Sequence, residues 1–88
     1  MAPKDAEFVT IIKFEIKLSP GEFARPRREL WIEKLKGDRY YRAIMVTSSS
    51  MIDLLFQGTS VETITFSALV RIHKMFPGCE IERTFKAH

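Results

Sequence analysis

Eighty-eight residues, 45% hydrophobic and 28% charged, describe one folded domain, too short to divide into two cores and too apolar to stay disordered. The lone cysteine, Cys79, excludes an intramolecular disulfide and a cysteine zinc cluster, and no apolar run approaches the length that spans a bilayer as a helix. The net charge of +3 is a small excess, and all of it lies in residues 1–42.

The opening stretch "MAPKDAEF" carries an acidic pair before any apolar run, unlike a signal peptide. With the single thiol, this points to a reducing, cytoplasmic setting, and residues 1–6 are expected to be a flexible N-terminus of a domain covering 1–88. "FVTIIKFEIKL" then alternates. Thr10, Ile12, Phe14, Ile16 and Leu18 share one face and Lys13, Glu15 and Lys17 the other, the period of a half-buried strand. Ser19-Pro20-Gly21 stops it, and residues 19–26, with two prolines, read as a connection.

"ARPRRELWIEKLKGDRYYRA", residues 24–43, contains Arg25, Arg27, Arg28, Lys34, Lys36, Arg39 and Arg42, half of the chain's fourteen Lys and Arg. As a helix it would have Pro26 at the first position and Gly37 past the end, but Arg27 and Arg28 would crowd the positive end of the dipole, and the apolar stripe is poor. As a hairpin turned at Gly37-Asp38, it sets Glu33 opposite Arg42, Trp31 opposite Ile44 and Ile32 opposite Ala43, pairs that stabilise a ladder. The hairpin is the better reading. "RYYRAIMVT" and "MIDLLF" are strand-like and joined by Ser48, Ser49 and Ser50 as a turn.

A helix is predicted from about Ser60 to Phe76, with Val61, Ile64, Thr65, Ala68, Leu69, Ile72, Met75 and Phe76 on one stripe. Thr59 and Glu62 have the spacing of a capping box, and Pro77-Gly78 ends the helix. "CEIERTF" closes the chain as a strand, with Cys79, Ile81 and Phe85 opposite Glu80, Glu82 and Thr84. The expected fold is α+β: an antiparallel sheet of about five strands with one long amphipathic helix on one face. A helix over 27–36 would instead make it a ferredoxin-like βαββαβ arrangement.

No catalytic constellation emerges. His73 flanks the helical stripe, His88 is terminal, and neither sits at a metal-ligand spacing or beside a nucleophile. Cys79 starts on an apolar strand face and reads as a buried thiol, and the four glycines lie at element ends rather than in a phosphate loop. No enzyme activity, cofactor or metal is expected. Two surfaces remain as binding candidates. One is the basic, aromatic set Arg25, Arg27, Arg28, Trp31, Arg39, Tyr40, Tyr41 and Arg42, whose guanidinium groups suit phosphates and whose rings suit stacking. The other is an apolar set, Val9, Ile11, Met51 and Leu55, left on the sheet face away from the helix.

The function these features favour is that of a small binding protein that modulates or inhibits a larger protein machine through the basic, aromatic-bearing surface. The alternatives are a nucleic-acid-binding module using the same surface and a structural subunit of a homo-oligomer such as a dimer. No membrane partner is expected.

Overall fold

The computed structural model describes residues 7–18, 28–48 and 51–87. Five strands, β1 (Phe8–Lys17), β2 (Arg28–Leu35), β3 (Tyr41–Ser48), β4 (Met51–Gly58) and β5 (Glu80–Lys86), and one helix, α1 (Val61–Met75), follow each other with α1 between β4 and β5. The strands form one sheet in the order β4-β3-β2-β1-β5, every neighbouring pair antiparallel. The first four strands are a meander; α1 then packs on β3 and β4, and β5 returns beside β1. The fold is therefore α+β. The ferredoxin-like alternative needed a helix near residues 27–36, and Arg28–Leu35 is a strand instead. The predicted connection at 19–26 and terminus at 1–6 lie outside the described residues.

The β2–β3 register is the one counted from Gly37-Asp38: Glu33 faces Arg42, Ile32 faces Ala43 and Trp31 faces Ile44. The loop is longer than a two-residue turn. Leu35 N–H donates to Tyr40 C=O at 2.8 Å and Asp38 N–H to Leu35 C=O at 3.1 Å, so residues 36–39 make the bend. Gly37 supplies the left-handed backbone it needs, with φ +82°.

The core joins Ile16, Leu30, Ile32, Ala43 and Met45 of the sheet to Ile64, Ala68 and Ile72 of α1, with Cys79 at its rim. The helix is capped by Ser60, whose hydroxyl accepts from Thr63 N–H at 3.3 Å; this corrects the expected box between Thr59 and Glu62. Its buried stripe is also narrower than the periodicity suggested. Ile64, Ala68 and Ile72 are buried and Leu69 is at the margin, whereas Met75 is 43% exposed and Phe66, on the outer side, is 69% exposed.

Strict alternation fails at four bulges. Ile11 is an extra residue of β1 against β2, Thr84 of β5 against β1, Leu55 of β4 against β3, and Thr47 of β3 against β4. Each bulge reverses the facing of residues beyond it. Thr10 thus joins Glu33 on the face away from the helix rather than the core side with Ile12, and Phe85 pairs with Lys13 there instead of following Ile81 inward.

Candidate binding surface

Helix α1 covers one side of the sheet, and among the described residues nothing covers the other. Cross-strand pairing sets the side chains of this open face in rows. One row runs Phe85, Lys13, Trp31, Ile44, Leu54 from β5 to β4, and the next runs Glu82, Glu15, Glu29, Val46, Ile52. These two rows are graded: Glu82, Glu15, Glu29 and Lys13 lie over β5, β1 and β2 beside Phe85 and Trp31, and the side chains over β3 and β4 are all apolar. Ile44 is buried within it at 4% exposure, while Ile52 and Leu54 are more than half exposed.

Polar contacts order the charged end. Trp31 Nε1 donates to Glu29 Oε1 at 2.7 Å, and Lys13 Nζ lies 4.6 Å from the indole centroid, a cation-π arrangement. Lys17 Nζ donates to Glu82 Oε1 at 3.2 Å, which holds its ammonium above the usual lysine range, but both groups are exposed and the pair adds little stability. A third row crosses Thr10, Glu33, Arg42 and Gln57. Here Glu33, 7% exposed, accepts from Arg42 Nε at 2.7 Å and from Thr10 Oγ1 at 3.2 Å, and the Arg42 guanidinium stacks 3.8 Å over the Phe8 ring.

The basic, aromatic set predicted from residues 24–43 does not gather on one surface. Trp31 and Arg42 are on the open face. Tyr41 packs at the edge of the core on the helix side, as does Arg28, whose guanidinium lies 4.9 Å from the Phe76 ring. Arg28 Nη1 is buried there without a hydrogen-bond partner. Arg39 is exposed in the loop, Tyr40 closes that loop through its carbonyl, and Arg25 and Arg27 lie outside the described residues. The hairpin that makes the sequence cluster is what divides it, because successive strand residues point to opposite faces.

Within the apolar set, Val9 and Met51 are exposed, at 50% and 59%, but not on the open face. Val9 lies opposite Lys34, in phase with Ile32 and Leu30 on the helix side, because the Ile11 bulge reverses it, and Met51 is in phase with Asp53, opposite Met45. Ile11 and Leu55 pack against the core instead, since each is the extra residue of a bulge and turns toward the helix side. The exposed residues of β4 that alternation assigned to the core are Ile52 and Leu54. A bulge in an edge strand leaves no signature in residue type, so composition alone did not reveal them.

Cys79 is buried with Sγ 3.7 Å from His73 Nδ1, and burial pushes its thiol above the usual range, so the neutral thiol dominates at neutral pH. Among the described residues no group of His, Cys, Asp or Glu is placed to hold a metal ion, and no helix is long and apolar enough to cross a membrane. No family model, curated protein or solved structure matches the chain.

Proposed function

We propose that this chain is a non-enzymatic binding domain that acts by covering part of the surface of a larger protein. The observation that carries the reading is the uncovered sheet face, where the exposed Ile52 and Leu54, with the half-buried Trp31 and Val46 and the buried Ile44 beneath them, form an apolar field beside an ordered charged margin. An apolar centre with a polar rim containing an aromatic anchor is the composition of protein interfaces. The same face disfavours the nucleic-acid alternative, because Glu82, Glu15 and Glu29 stand side by side across three strands and would repel a phosphate backbone.

A photoreactive benzoylphenylalanine in place of Ile52 tests this in extract of the native host. The expected result is a protein adduct, identified by mass spectrometry and abolished by an added Leu54→Glu change that leaves the melting temperature unaltered. An adduct to nucleic acid, sensitive to nuclease, would overturn the reading in favour of the phosphate binder.

A further inference from the structure

The two edges of the sheet are unlike. β5 presents Glu80, Glu82, Arg83 and Lys86, the charges that natural edge strands carry to prevent pairing. β4, "MIDLLFQG", has Asp53 as its one charged residue and no proline, and among the described residues it pairs with β3 alone, so no described strand takes up its outer backbone N–H and C=O groups. Met51, Ile52 and Leu54 on this strand are all more than half exposed.

On the helix side, the same edge borders a groove of about 460 Å³. Its apolar lining is Phe56, Phe66 and Val70, and its rim is basic: Arg71, whose guanidinium stands 5.8 Å from the Phe56 centroid, and Lys74. Asp53 is on this same side, opposite Met45, but lies toward the start of the strand and does not line the groove, so the basic rim faces the end of the strand near Phe56.

We infer that β4 accepts an extended segment of a partner protein as a sixth strand, and that this segment alternates apolar with acidic residues. The proposal rests on the binding reading above and names the partner's chemistry. Side chains of an added strand alternate between the two faces. Those on the open face would meet Ile52 and Leu54, and those on the helix side would lie over Phe56 and reach Arg71 and Lys74. Apolar residues suit the first set and carboxylates the second.

A second copy of this chain is the competing occupant, and charge argues against it. Helix α1 packs on both β3 and β4, so pairing β4 with its own copy about a twofold axis would bring the two helices to about 10 Å, the spacing of packed helices, given strands about 4.8 Å apart. The sides that would meet each carry Arg71 and Lys74 with no carboxylate in the groove lining, so two copies offer each other no charge complementarity, whereas an acidic segment does.

The test uses two synthetic peptides of alternating valine and glutamate, or valine and lysine, N-methylated on alternate amides so that they do not pair with themselves. Binding to the full chain is followed by amide NMR shifts and hydrogen exchange. The expected result is protection of β4 amides by the glutamate peptide, about five- to tenfold tighter binding than the lysine peptide, and reversal of that preference in the double variant Arg71→Glu, Lys74→Glu. Equal binding of the two peptides, protection elsewhere, or no β4 protection at millimolar glutamate peptide would overturn it, as would a β4-paired dimer of the chain alone. A protein adduct from position 52 combined with unprotected β4 amides would remove strand addition while leaving the binding reading intact.

Discussion

Arg42 and Glu33 are cross-strand partners in the β2–β3 hairpin, and Arg42 Nε donates to Glu33 Oε1 at 2.7 Å. Glu33 is 7% exposed, so the carboxylate depends on this bond and on Thr10 for the interactions that water would otherwise provide. Arg42→Ala is expected to cost about 1–2 kcal/mol, a modest figure because the arginine itself is partly solvated. The double variant Arg42→Ala, Glu33→Ala should cost less than the sum of the single changes. Urea denaturation of the four proteins checks the coupling.

Ile72 is fully buried between α1 and the sheet, whereas Leu69 lies at the margin of the core and lines a groove beside Ile11 and Ile12. Ile72→Ala should destabilise by about 2–4 kcal/mol, through lost burial and the cavity left behind. Leu69→Ala should cost about half as much, since solvent already reaches one side of it. Guanidinium titrations at equal slope would establish the order; equal losses would mean that the helix sits rotated from the orientation described.

Gly37 holds φ at +82° in the β2–β3 loop, and a side chain there would touch nothing within 4 Å. The cost of Gly37→Ala is therefore conformational, about 1–2 kcal/mol, and Gly37→Asn should recover part of it because asparagine tolerates the left-handed region. Thermal melts of the two variants separate this from a packing effect, which would penalise the larger asparagine more.

Burial raises the Cys79 thiol above its ordinary value of 9.0. The unfolded chain then loses this proton at lower pH than the folded one. The contribution is complete below pH 9 and declines as pH rises from there through the folded value. Cys79→Ala should flatten the fall in stability over that window relative to the parent, measured by denaturation at a series of pH values. At neutral pH the thiol should react with a disulfide reagent far more slowly in the folded protein than in urea.

Local chemistry was legible in the residues themselves. Gly37-Asp38 between alternating runs set the β2–β3 register and the Glu33–Arg42 pair, because turn geometry and cross-strand charge act over a few residues. The helix between Ser60 and Pro77 was likewise written in its period and terminators. What the tertiary structure alone decided was which side chains face outward. Bulges at Ile11, Leu55, Thr84 and Thr47 arise from fitting strands of unequal path into one twisted sheet, and each inverts the phase that alternation assigns. That inversion exposes Ile52 and Leu54 and turns Ile11 and Leu55 inward, and the strand order leaves β4 at an edge beside Arg71 and Lys74. The basic, aromatic run was separated by the same long-range pairing, since neighbours in a strand belong to opposite faces and only the position of the helix determines which face is open.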